Sequence, residues 1–468
     1  MEFSSLTFLC VFLPATFALY ALMPKVAYKN ALLIVASLVF YAYGEPIYVL
    51  LMIGSTIANY WFGKMVSRGT AGGRRVALFL AVLANLLILG VFKYSAMLVE
   101  SVDAAFSLSI PVPAIALPIG ISFFTFQALS YVIDVYRGDA EPASNYPTIL
   151  LYVSLFPQLI AGPIVKYKDI SDQIVKRDSS ATEVALGLRR FTFGLAKKVL
   201  LANQFGAVAD ALYGADPASL FMGSAWLAAI SYALQIYFDF SAYSDMAIGL
   251  GHMFGFTFKE HFNYPYISTS IQDFWRRWHI SLSTWFKEYV YIPLGGNRKG
   301  RQRAAANRMI VFFLCGLWHG ASWTFVVWGL FHGFFLLLEE YVPAIKRLPR
   351  WLGHVYALLV VLVGWVLFRS DSFGQAISMT ALLFTPAAAN HQQLQLFMQQ
   401  LTPLFCCAVV VGAIASTPVK DVVAKRIERA GHARVFQALS FILSLVVVVL
   451  SLIELSAGGY NPFIYFRF

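Results

Sequence analysis

Apolar run follows apolar run along almost the whole chain, and few folds accept such a pattern. The runs fall at 5–23, 29–43, 46–65, 76–99, 112–136, 191–212, 222–256, 322–339, 354–368, 376–385, 401–418 and 434–456. A helix needs about 20 apolar residues to cross the hydrocarbon of a bilayer, so the chain has room for roughly a dozen crossings. Only 13% of its 468 residues are charged, against about 25% in ordinary globular domains. Mean hydropathy is +0.68. These features predict an all-α polytopic membrane protein whose residues 1–468 form a single integral-membrane domain, with roughly 11–13 transmembrane or re-entrant helices.

The formal net charge of +11 does not point to nucleic acid. Its cations sit in short loops between apolar runs: Arg68, Arg74 and Arg75, then Lys346, Arg347 and Arg350, then Lys420, Lys425, Arg426, Arg429 and Arg434. That is the pattern of cytoplasmic loops facing membrane lipids. The four cysteines, Cys10, Cys315, Cys406 and Cys407, lie in apolar runs without CxxC spacing, which indicates neither a disulfide framework nor a zinc site. The N-terminus lacks a basic region and a cleavage site and reads as a retained first span.

Several segments depart from simple spans. Residues 112–136 read as a span rich in small and aromatic residues that pack closely in membranes, ending in Asp134 and Arg137. LFPQLIAGPIVKY (155–167) is too short and too broken by Pro157, Gly162 and Pro163 to cross, and reads as a kinked or re-entrant segment enclosed by protein. Residues 169–190 suit a polar amphipathic helix. YFDFSAYSDMAIGLG places Asp239, Ser241 and Asp245 in an apolar run. Carboxylates at membrane depth require partners, and either a packing network or chemistry satisfies that need.

Charge, aromatic residues and histidine coincide between 262 and 333. Trp275, Trp278, His279, Leu282, Trp285, Phe286 and Tyr289 share one helical stripe, with Arg276, Ile280, Ser283 and Lys287 on another. This predicts an amphipathic helix at the membrane surface with His279 turned into protein. From Arg276 to Arg308 there are eight Lys/Arg and one acid, Glu288, a cluster suited to a phosphorylated carrier such as coenzyme A or to anionic lipid. Beyond the basic linker, MIVFFLCGLWHGASWTFVVWGLFHG puts His319 inside an apolar run, with Gly316 and Gly320 expected to loosen the helix. A neutral imidazole there is either a packing residue or a general base. Histidine and cysteine spacing offers no metal site.

PIGISFFTFQALSYVIDVYRG, LFPQLIAGPIVKY, YFDFSAYSDMAIGLG, FNYPYISTSIQDFWRRWHISLSTWFKEYVYIPLGGNRKG and CGLWHGASWTFVVWGLFHG, in that order over about 113–333, resemble the membrane-bound O-acyltransferase superfamily in its bacterial alginate O-acetylase-like branch. The N-terminal MEFSSLTFLCVFLP and C-terminal NPFIYFRF are similar to the same branch. The resemblance implies a helical fold around a central funnel or tunnel in the bacterial cytoplasmic (inner) membrane. It implies that His319 is the catalytic base and that His279 orients donor or acceptor. Asn263, Asp273, Trp275, Arg276, Trp278 and Trp318 would line the same region, and Asp239 and Ser241 would border it. No tightly bound cofactor is expected; acetyl-CoA is the expected donor substrate. The expected partner is an extracytoplasmic acetyltransferase (SGNH-type, AlgJ- or AlgX-like), with an exopolysaccharide or cell-wall polymer as final acceptor. Transfer of another acyl group, such as D-alanine from a carrier protein, is the alternative within the family. A lipid-linked sugar transporter is the alternative outside it, and the chain shows no internal repeat in its favour.

Overall fold

The apolar runs form helices, several of them widened locally by a π-helical turn. The computed structural model describes residues 1–160 and 162–464, and every regular element among them is helical. Among the described residues three helices are long and apolar enough, by length and composition, to cross a membrane: Ala71–Phe106, Arg350–Arg369 and Arg434–Ser456. A fourth crossing results if His391–Gln400 and Pro403–Ala415, bent by 64°, count as one. Phe8–Leu22, Val26–Ala42 and Phe373–Phe384 are apolar but shorter. Further long helices, among them Tyr48–Arg68, Met222–Met253 and Trp323–Tyr341, complete an all-α polytopic membrane fold.

The chain divides into two compact units: residues 1–191 with 244–259, and residues 192–243 with 260–468. In the first, Phe8, Phe12, Phe40, Phe156 and Phe254 form an aromatic core. Gly63 is a close-approach point, since a Cβ there would meet the Tyr131 ring at 2.3–2.5 Å. Asn59 and Asn85, both buried, donate to one another's side-chain oxygens at 3.2 and 2.8 Å, satisfying amides that would be costly in an apolar interior.

Two expectations for this unit change and one holds. The span at 112–136 starts only at Ile121, in the helix Ile121–Arg137. Pro111, Pro113 and Pro118 remove amide donors from the preceding stretch, which is extended. Asp134 at its end lies 4.0 Å from Lys168. The polar helix expected at 169–190 is two, Tyr167–Val175 and Ala181–Ala196. The chain turns between them because Arg177 is drawn inward, donating to the Tyr20 hydroxyl and the Phe254 carbonyl at 3.1 Å each. The 155–167 segment is kinked as expected: its described residues are buried and contain a single turn, Phe156–Leu159. Ala161 within it lies outside the described residues.

In the second unit, the helices Arg301–His319 and Trp323–Tyr341 form a tight antiparallel hairpin. Cβ atoms at Gly316 and Gly329 would meet the backbone oxygens of Phe325 and Phe312 at 2.3 and 2.2 Å, and one at Gly320 would meet the Phe325 ring at 2.2 Å. These glycines therefore bring backbones together rather than loosen the helix. The unit also fixes the chain's last described residues. Lys198 lies 2.9 Å from Asp239 and donates to the Pro462 carbonyl; Asp239 accepts the Ile464 N–H at 2.8 Å; Phe463 stacks on Tyr243 at 4.9 Å. Residues 465–468 of NPFIYFRF lie outside the described residues.

Candidate active site

Two short helices and one hairpin build the site. Ser270 starts the first helix, Ile271–Arg277, by accepting the Asp273 N–H at 3.0 Å, the usual role of an N-cap serine. The expected continuous helix from Trp275 to Tyr289 is broken at His279, whose φ is +45° and ψ 51°. It resumes as Ile280–Phe286 and then widens into a π-helical turn at Lys287–Tyr291. A left-handed conformation is unfavourable for a residue with a side chain. Here neighbours hold it: Ile280 N–H donates to the His261 carbonyl at 2.9 Å, and Asn263 N–H to the Arg277 carbonyl at 2.9 Å. The aromatic stripe survives the break, since Trp275, Trp278, His279, Leu282, Trp285, Phe286 and Tyr289 are all buried.

The basic linker is mostly helix, because its Arg, Gln and Ala residues favour that state. The helix starts at Arg301, after a reversal at Gly295 (φ +110°), Gly296 (φ +53°) and Gly300 (φ +87°). It ends at His319 because Gly320 is fully extended (φ −162°) and Ser322 caps the next helix. At 1.5 Å per residue, His319 lies about 16 Å beyond Arg308 along the axis, about half the hydrocarbon thickness of a bilayer.

There the histidines converge. His319 and His279 have ring centroids 6.0 Å apart, with Trp318 5.6 Å from His279 and 5.0 Å from His319. Trp328 and Phe368 stand 5.0 and 5.2 Å from His319, edge to face. On the other side His261 is 4.4 Å from His279, and its Nδ1 is 2.9 Å from the Ser281 hydroxyl. His261 and His279 lie outside the candidate spanning helices. Burial pushes the His261 imidazole down to about 3. Burial first, then the neighbouring His261 and His319, holds His279 well below the ordinary value. Both are therefore neutral near pH 7, and their burial disfavours the charged form.

A cavity of about 610 Å³ opens within the same unit. Arg276, Lys287, Arg308 and Lys346 line it, with Glu339 and Glu340 among them. Trp275, Phe312 and Cys315 form its apolar part. Cys315 is one turn before His319 on the same helix face. Trp275 stands 5.1 Å from Phe312 and 5.8 Å from Trp328, which in turn packs on His319.

Of the residues singled out from sequence, His279, His319, Trp278 and Trp318 join one aromatic cluster, and Trp275 links it to the cavity. Trp278 packs on Trp365 at 4.8 Å. Arg276 is exposed and lines the cavity. Asp273 pairs with Arg277 at 3.0 Å, and exposed Asn263 accepts from Arg277 through its carbonyl. Asp239 is engaged by Lys198, and Ser241 is buried in the same helix. Sequence reasoning missed His261, Trp328, Phe368 and Glu339. His261 sits two residues before Asn263 in the same motif, so proximity to FNYP was its only signal.

Buried imidazoles and a cation-lined cavity in an all-helical membrane protein supply groups that acyl transfer uses, and comparison with known proteins identifies the class. The profile of MBOAT, the membrane-bound O-acyltransferase family, matches residues 79–369, and the chain belongs to that family. It is 40% identical to "Probable alginate O-acetylase AlgI" of Azotobacter vinelandii over the full length of both chains. It is 45% identical to the protein of the same name in Pseudomonas aeruginosa, over 82% of this chain and 75% of that one. With "Peptidoglycan O-acetyltransferase" of Helicobacter pylori it shares 37% identity, over 80% of this chain and 78% of the relative. The protein is an O-acyltransferase of this family.

Proposed function

We propose that this enzyme takes acetyl groups from cytoplasmic acetyl-CoA and passes them across the bacterial inner membrane for O-acetylation of an exopolysaccharide or cell-wall polymer. The observation that carries this reading is a cavity lined both by four cations and by Cys315, one turn from His319. Arg276, Lys287, Arg308 and Lys346 suit the phosphates of coenzyme A, and the apolar part suits its thioester arm. The relatives named for alginate and peptidoglycan O-acetylation support a polymer as the final acceptor. An extracytoplasmic acetyltransferase is the partner this route requires.

His319 is the general base. The acceptor hydroxyl gives its proton to the imidazole as its oxygen attacks the thioester carbonyl. The C–S bond then breaks, and the thiol leaves with that proton. The end of the helix Arg301–His319 concentrates partial negative charge around the imidazolium that forms between the two steps. His279 and its aromatic neighbours keep water from the thioester and orient the reacting groups.

Release of free coenzyme A from acetyl-CoA by the purified protein, with and without a polymer-modifying partner, tests the reading. Turnover by wild type and its loss in a folded His319→Ala variant is the expected result. Equal turnover by both overturns the role of His319. No release from acetyl-CoA by wild type, but release from a D-alanyl carrier protein, replaces the donor.

A further inference from the structure

Glu339 is a buried acid near the end of the largely apolar helix Trp323–Tyr341, and only 2% of its surface is exposed. A carboxylate so placed requires strong partners. It finds them in the helix that leads to His279. The Ile271 N–H donates to one carboxylate oxygen and the Gln272 N–H to the other at 3.0 Å. Together with Ser270, which takes the Asp273 N–H, Glu339 satisfies donors that a helix leaves open in its first turn. An acidic group there also complements the positive end of the helix dipole.

The helix so anchored has seven residues, too few to be stable by itself. Its place depends on what holds its two ends and on Trp275, which packs on Phe312 and Trp328 of the hairpin. At the far end the loop at His261 and Asn263 grips the backbone around His279. At the near end Ser270, within the segment, and Glu339, contributed by the hairpin that carries His319, take the first-turn donors, and His354 Nδ1 lies 3.1 Å from the Ser268 carbonyl just before them. We infer that Glu339 is a positioning residue for acyl transfer: it sets the Trp275–His279 segment against the His319 hairpin. The inference rests on the reading that His279 serves the reaction. Since Glu339 also borders the cavity, a direct contact with donor is the competing role, and the two roles separate kinetically.

The test is a double-mutant cycle on the full-length protein, read as coenzyme A release from acetyl-CoA. Glu339→Gln replaces one accepting oxygen with an NH2 group that faces a backbone N–H. It is expected to lower kcat about 30-fold or more with KM within about threefold, since a displacement near 1 Å can cost about 100-fold. In a His279→Ala background the same change is expected to cost less than about twofold, because residues that act as a unit are non-additive. Amide exchange over residues 271–278 is expected to rise about tenfold in Glu339→Gln and to stay unchanged over 350–369. If Glu339→Gln does not fold, Glu339→Asp, one methylene shorter, is expected to give smaller changes with the same pattern. A pure KM effect, multiplicative losses with His279→Ala, or unchanged exchange over 271–278 each overturns the proposal. A wild type that releases no coenzyme A overturns the donor reading instead, and the exchange measurement still decides whether Glu339 holds the segment.

Discussion

Two groups of polar side chains are buried in the apolar second unit, and they are treated in opposite ways. Around Lys198 and Asp239, opposite charges lie 2.9 Å apart and backbone groups of Pro462 and Ile464 take up further bonding capacity. Around His279 and His319, the neighbours are the rings of Phe240, Trp318, Trp328 and Phe368 at 4.8–5.6 Å. The first arrangement completes itself with charge and holds the chain in place. The second packs its imidazoles among aromatic rings and a further histidine, His261, and is where we propose that proton transfer takes place.

The sharpest test of that contrast is to damage each group in turn. His319→Gln is expected to lower acyl transfer by about 100- to 10,000-fold, the usual contribution of a general base, with thermal stability in detergent nearly unchanged. Lys198→Ala strands a buried carboxylate and is expected to cost about 3–5 kcal/mol, seen as a large fall in melting temperature or loss of folded protein. The double change Lys198→Met with Asp239→Leu should recover much of that stability, because replacing both ions removes the stranded charge. If His319→Gln destabilises as much as Lys198→Ala, the comparison fails. At the smaller end, Lys287→Ala, which removes one exposed cation from the cavity, is expected to raise KM for acetyl-CoA several-fold at low salt and less at high salt.

Much of this contrast was legible in the sequence, though unevenly. Helical periodicity revealed the buried aromatic stripe from Trp275 to Tyr289, because burial of large rings imposes a regular pattern. It could not reveal the break at His279, where neither Gly nor Pro interrupts the pattern and distant backbone contacts stabilise the turn. Hydropathy treated residues 297–308 as linker, although their Arg, Gln and Ala content already favoured helix. The meetings of Lys198 with Asp239, of His261 with His279 and of Glu339 with the Ile271 amide join residues 41, 18 and 68 positions apart. No spacing rule encodes such pairs. The family motifs brought His279 and His319 forward together, and the fold supplies the reason, since the hairpin returns one to within 6.0 Å of the other.

The left-handed backbone at His279 also limits which amino acids position 279 can carry. Branched side chains such as Val and Ile are excluded there by their own Cβ substituents, whatever the chemistry demands. Asn tolerates the same backbone while offering no titratable nitrogen. His279→Asn therefore keeps the bend and discards the imidazole, whereas His279→Val keeps neither, and the difference between those two proteins measures how much of the residue's value lies in its ring and how much in its turn.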